Sequence, residues 1–158
     1  MKEHIRQSNL IEGIDDPKED EQSLKAWEWL KEIKELDHTV ICALQFQIVE
    51  NQTDLMADEK GDYRNINVYV GTRLCPSAFF VNDLMSEWLD DFKPDLSTGV
   101  SQFDPIENHV KFELIHPFVD GNGRTGRMLL WHQEIKEGKE PTLFKADERQ
   151  EYYKLFKE

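Results

Sequence analysis

The chain has 158 residues, 32 acidic against 19 basic, and a formal net charge of −13. That length fits one domain that buries roughly 70% of the surface its unfolded form exposes. The charge argues against a nucleic-acid backbone or an anionic membrane surface as partner. A hydrophobic fraction of 39% is lean, yet four Trp and nine Phe supply large buried areas and argue against disorder throughout. Cys42 and Cys75 have neither a metal-ligand spacing nor the pattern of a disulfide framework. With a polar opening from Met1 to Gln7 and no apolar run near the ~18 residues of a membrane span, the cytoplasm is the expected compartment.

Residues 1–14 carry Ile5, Leu10, Ile11 and Ile14 at helical spacing, and the acidic stretch 15–22, with Pro17, reads as a linker to a main domain over 23–158. Ser23 is the expected N-cap of a helix burying Trp27, Leu30 and Ile33. A further helix places Val40, Leu44 and Ile48 four apart. Gly61-Asp62 breaks the pattern. Asn67 to Val70, ended by Gly71, reads as a strand that pairs with Ala78 to Val81. Asn82 or Asp83 caps a helix bearing Leu84, Met85, Trp88, Leu89 and Phe92, and Pro94 to Gly99 reads as a loop.

Asp104, Pro105 and Glu107 form a helix start with cap, first-turn proline and acidic third position. That helix buries Ile106, Val110 and Leu114 and must yield before Pro117, which leaves His116 at its exit. After Gly121-Asn122-Gly123 a helix runs through Met128 to Trp131, and Tyr152, Tyr153, Leu155 and Phe156 suggest a last one. The fold class is mainly α, with about seven helices and one β-hairpin.

The densest chemistry lies in His116-Pro-Phe-Val-Asp120-Gly-Asn-Gly-Arg124-Thr-Gly-Arg127. A titratable base, a carboxylate suited to Mg²⁺, a glycine-rich turn at a helix start and two arginines make up the inventory of a phosphate-transfer site. Gly121 to Gly126 also fits the dinucleotide pattern G-x-G-x-x-G, but that pattern needs a preceding strand in a βαβ unit. Here a capped helix precedes it. His109 and Glu113 lie four apart on one helix, and two ligands are too few for a metal, so they read as core or supporting residues.

The segment resembles the signature of the Fic family, His-x-Phe-x-(Asp/Glu)-Gly-Asn-Gly-Arg-x-x-Arg, with every specified position matched. The resemblance implies a helical domain transferring AMP from ATP, with Mg²⁺, to a hydroxyl of a target protein, itself included. His116 would be the general base and Asp120 the metal ligand. Gly121, Asn122 and Gly123 would hold phosphate oxygens through their N–H groups and the Asn122 amide. Arg124 would neutralise the diphosphate and Arg127 would meet the γ-phosphate.

Gly61-Asp62-Tyr63-Arg64 followed by Val68, Tyr69 and Val70 looks like the lead into the family's flap, a hairpin that docks the target by strand addition. Ser8-x-x-x-Glu12-Gly13 matches the family's inhibitory pattern, so residues 1–14 are expected to form an inhibitory helix in which Glu12 pairs with Arg127. Transfer of another phosphate-containing group, removal of AMP, and nucleotide binding without turnover stay open at this point. Homo-oligomerisation stays open as well.

Overall fold

The computed structural model describes residues 1–93 and 101–156; the loop expected over 94–99 lies outside them. Among the described residues there are seven α-helices, α1 (Lys2–Ile11), α2 (Pro17–Leu30), α3 (His38–Val49), α4 (Val81–Phe92), α5 (Pro105–Ile115), α6 (Asn122–Lys136) and α7 (Arg149–Lys154). One antiparallel hairpin, β1 (Tyr69–Val70) and β2 (Arg73–Leu74), lies between α3 and α4. Among the described residues no helix is long and apolar enough to cross a membrane.

Three boundaries differ from expectation. The acidic stretch expected to be a linker is a short turn and then helix: Asp16 caps α2 by accepting from Lys18 N, with Pro17 in the first turn. Ser23 lies inside α2, buried against Asn9. The second strand is Arg73–Leu74 rather than Ala78–Val81, because Gly71 at φ 59° allows a two-residue turn that pairs Val70 with Arg73. Residues Ala78–Phe80 form a 3-10 turn that leads into α4 at Val81, ahead of the caps expected at Asn82 or Asp83.

Helix α6 is the centre of the molecule. Twelve of its 15 residues are buried, so its sequence lacks the one-sided stripe of a surface helix. It packs on α5, α3 and α1. Met128, Leu129, Leu130 and Trp131 join a core with Leu30, Ile41, Leu44, Ile48, Met85, Trp88, Phe112 and Phe118. Asn122, Arg124, Thr125 and Arg127 are polar residues buried at its N-terminal end.

Helix α1 is fastened to this core through Ile5 and Ile11, both buried. Asn9 Nδ2 donates to Asp20 Oδ1 at 2.7 Å and Arg6 pairs with Asp15 and Asp20, tying α1 to α2. Gln7 Oε1 accepts from Ala146 N at 2.8 Å. These contacts fix the height and rotation of α1, and so aim Ser8 and Glu12.

Candidate active site

Helix α5 begins with the expected capping box, in which Asp104 accepts from Ile106 N and Glu107 accepts from Asp104 N. It ends at His116, the one non-glycine residue with positive φ among the described residues, at φ 53° and ψ 64°. A left-handed residue other than glycine is uncommon, and the strain needs support from its surroundings. Arg64 supplies it. Buried beneath the loop, its guanidinium donates to the carbonyls of His116 (2.7 Å), Ile66 (2.9 Å), Pro76 (2.6 Å) and Ile115 (3.2 Å). Its own N–H donates to Pro117 O at 2.9 Å. One side chain thereby joins the base of the hairpin to the exit of α5.

The imidazole of His116 is 18% exposed and stands 3.9 Å from Glu113 Oε2, too far for a hydrogen bond. Burial pushes its pKa down to about 4, so the ring is neutral at neutral pH and ready to accept a proton. Burial pushes the Glu113 carboxyl up to about 8, which leaves it protonated under the same conditions.

The turn after Phe118 is closed by Asn122. Its Oδ1 accepts from Phe118 N at 2.9 Å and its Nδ2 donates to Phe118 O at 3.0 Å. The amide expected to donate to phosphate thus commits one of its two N–H donors to shaping the loop. Likewise Gly121 N already donates to Asp120 Oδ1 at 2.7 Å. Gly121 is required twice over: its φ is +80°, and a Cβ there would lie 2.7 Å from Val49 Cγ1. Helix α6 opens without a side-chain cap, so its first-turn N–H groups and dipole face the loop.

Asp120 and Arg124 share one neighbour. Gln52 Nε2 donates to Asp120 Oδ2 at 2.9 Å, and Gln52 Oε1 accepts from Arg124 Nη2 at 3.1 Å. Gln45 fixes the same turn by donating to Asp120 O at 3.0 Å. Arg124 Nη1 also lies 3.6 Å from Glu19 Oε2. No group of three or more His, Cys, Asp or Glu gathers among the described residues. A single carboxylate still fits Mg²⁺, which is commonly held by one or two carboxylates and substrate phosphates.

Arg127 is fully buried and makes four hydrogen bonds. Nε donates to Ser8 Oγ (2.8 Å), Nη2 to Ser8 O (3.0 Å) and to Glu12 Oε1 (2.7 Å), and Nη1 to Tyr152 OH (2.9 Å). The Glu12 carboxylate also covers Gly123, where an added Cβ would fall 2.2 Å from Oε1. Ser8 and Glu12 thus stand at the N-terminal end of α6.

The hairpin leans on the end of α5, with Arg73 donating to the carbonyls of Leu114 (3.2 Å) and Glu113 (3.4 Å). Val68 is half-buried, whereas Tyr69 and Val70 are exposed. A cavity of about 710 Å³ lies apart from the motif, lined by His38, Cys42, Phe46, Lys60, Tyr63 and Asn82 among others.

Residues 35–133 match the model of the Fic/DOC family. The chain belongs to the Fic/DOC family. The protein adenylyltransferase fic-1 of Caenorhabditis briggsae is 38% identical over 103 residues, 60% of this chain and 19% of that protein. The protein adenylyltransferase Fic of Drosophila willistoni is 33% identical over 103 residues, 63% of this chain and 20% of its own length. The chain spans about a fifth of the length of these curated relatives. In fold it is similar to a Fic domain containing signaling protein from Bacteroides thetaiotaomicron, with a TM-score of 0.76 at 21% identity over 97% of this chain and 69% of that one. A Caenorhabditis elegans Fic-1 structure gives 0.69 at 29% identity, covering 93% and 47%. The helical Fic fold with one hairpin is therefore the architecture of this chain.

Several residues around the Fic motif carry little signal in the sequence. Gln52, Gln45 and Tyr152 have no local pattern that marks them. Glu19 does: Asp16-Pro17-Lys18-Glu19 repeats the Asp-Pro-x-Glu start found at Asp104, and a helix beginning there carries Glu19 toward the core rather than into a linker.

Proposed function

We propose that this Fic domain transfers AMP from ATP to the hydroxyl of a target protein and that Glu12 holds it off. The observation that carries this reading is the pairing of Arg127 with Glu12 at 2.7 Å, with the same carboxylate lying over Gly123. A carboxylate at that end of α6 takes the place that the dipole, the first-turn N–H groups and Arg127 prepare for a phosphate.

Once α1 yields, the γ-phosphate meets Arg127 and the diphosphate lies against the start of α6 and Arg124. Asp120, with Gln52 behind it, would hold Mg²⁺, which neutralises charge on the phosphates when bound. His116, neutral at working pH, takes the proton of the attacking Ser, Thr or Tyr hydroxyl. The hydroxyl oxygen bonds to the α-phosphorus as the bond to the bridging oxygen breaks, and pyrophosphate departs. Catalysis comes from alignment and from charges fixed in advance. The exposed hairpin edge at Tyr69 and Val70 offers the target segment a strand to pair with.

Holding about 99% of molecules in the locked state needs only ~2.7 kcal/mol, within reach of a carboxylate–arginine pair whose arginine is fully buried. The test uses Glu12→Gly protein with ATP labelled on the α- or the γ-phosphate. Label from the α-position on protein, abolished by His116→Ala, is the expected result. Label from the γ-position overturns AMP transfer, and no label from either reduces the domain to a nucleotide binder. Equal labelling of wild type and Glu12→Gly overturns the lock alone.

A further inference from the structure

We infer that Tyr152 of α7 is a positioning residue that presets Arg127 for the γ-phosphate, on the side opposite the inhibitory helix. The inference rests on the reading of Arg127 given above and concerns a residue outside the family motif.

Of the four hydrogen bonds made by the Arg127 guanidinium, three go to α1, through Ser8 Oγ, Ser8 O and Glu12 Oε1, and one goes to Tyr152 OH. Removal of α1 releases Nε and Nη2 together. Nη1 stays tied to the phenol at 2.9 Å. The freed donors then share one edge of a planar group whose other end is anchored, the geometry in which a guanidinium binds an anion through two parallel hydrogen bonds.

The anchor is itself braced. Arg127 can only donate, so the phenol oxygen accepts from it, and with His109 as its Nδ1–H tautomer the phenol proton goes to Nε2 at 2.9 Å. That requires a neutral imidazole with a lone pair on Nε2, and burial, with Arg127 nearby, pushes His109 down to about 3. The Tyr152 ring is wedged between Phe144 and Phe156 at 4.7 and 5.0 Å between centroids, and lies 5.2 Å from the Arg127 guanidinium carbon. A fully buried arginine without such a tie, once α1 leaves, has rotamers to search before it meets phosphate.

Tyr152 therefore serves the open site, whereas Ser8 and Glu12 serve the closed one. The distinguishing property is selectivity for the third phosphate. Affinities for ATP and ADP are measured by calorimetry with Mg²⁺ in Glu12→Gly protein carrying His116→Ala to stop turnover. Adding Tyr152→Phe, which keeps the ring and removes the hydroxyl, is expected to weaken ATP about tenfold and leave ADP unchanged. His109→Gln should shift ATP in the same direction by less. Phe144→Leu, which loosens the packing without touching the hydroxyl, should treat the two nucleotides alike.

Equal weakening of ATP and ADP by Tyr152→Phe makes the residue a packing element and overturns the inference. No change in either also overturns it. If the parent protein shows no preference for ATP over ADP, the assignment of Arg127 to the γ-phosphate fails first and the inference falls with it.

Discussion

Arg127 and Glu12 are 115 positions apart in the chain and meet at 2.7 Å, with the arginine fully buried and the carboxylate one-third exposed. The asymmetry sets the direction of release: Glu12 can return to water, and Arg127 cannot. Ser8 adds a second tie from the same helix, its hydroxyl accepting from Nε at 2.8 Å. Ser8→Ala removes that bond but leaves the Ser8 carbonyl and Glu12 in place. It should weaken the lock by about 1.5 kcal/mol and raise self-labelling up to about tenfold, less than Glu12→Gly does. Labelling equal to wild type would show that the hydroxyl contributes nothing to the lock.

The pH dependence follows from the burial of His116. A base must be neutral to act, and this one loses its proton at about 4 rather than 6.5. Activity supported by His116 is therefore present above about 4 and lost as pH falls through that value. In Glu12→Gly protein, kcat/KM at pH 5.5 should remain close to its value at pH 7. An unperturbed imidazole would retain only about a tenth there.

Arg124 and Glu19 make a second charged contact between the N-terminal segment and the motif, at 3.6 Å and largely buried. If Arg124 receives the diphosphate, Glu19 competes with it. In the Glu12→Gly background, Glu19→Gln should tighten ADP roughly fivefold, the equivalent of about 1 kcal/mol for one ion pair. Weaker ADP binding would mean that Glu19 instead holds Arg124 in its useful place.

Gly126 is an unspecified position of the motif, yet the structure restricts it. A Cβ would lie 2.6 Å from Glu113 Oε1, 3.0 Å from Phe112 Cδ1 and 3.1 Å from His109 Cε1. Alanine in a helix interior normally stabilises by about 1 kcal/mol over glycine. Here the overpacking should reverse the sign, with a net loss of about 1–2 kcal/mol and a Tm lower by roughly 3–6 °C. A raised Tm would show that α5 and α6 have room to part.

Glu113 offers a stability test. Its folded pKa of about 8 lies above its ordinary value, so the folded state holds a proton that the unfolded chain has released between about 4.5 and 8. The stability linked to that proton is fully present below 4.5 and is lost as pH rises through 8. Glu113→Gln cannot release it, so the variant should gain stability relative to wild type steadily from pH 5 to pH 8, measured as the difference in Tm. A difference that stays flat with pH would place the carboxyl in a more polar setting than its burial implies.

Much of the fold was legible because its signals are local. Asp104, Pro105 and Glu107 satisfy a helix start within one turn, and Pro117 disfavours helix before it and so places His116 at the exit of α5, whereas the left-handed backbone of His116 has no such local signal. The start of α2 was missed although Asp16, Pro17 and Glu19 repeat the same pattern, because an acidic stretch with a proline also fits a linker. The hairpin was misjudged at its return strand. The expected partner was Ala78 to Val81, whereas the tight turn at Gly71 pairs Val70 with Arg73. The amide of Asn122, expected at the ligand, also closes the loop on Phe118, a contact four residues away that no motif spells out.

The sequence by itself determined the helical class, the position of the reactive loop and the inventory of groups in it. Those rest on caps, prolines, glycines and spacing, which act over a few residues. Only the tertiary structure decided what each group touches: Arg64 under the loop, Gln52 between Asp120 and Arg124, Tyr152 and Ser8 on opposite sides of Arg127. The partners Ser8 and Arg127 are 119 positions apart, and a pairing at that range follows from how α1, α6 and α7 pack around a shared core.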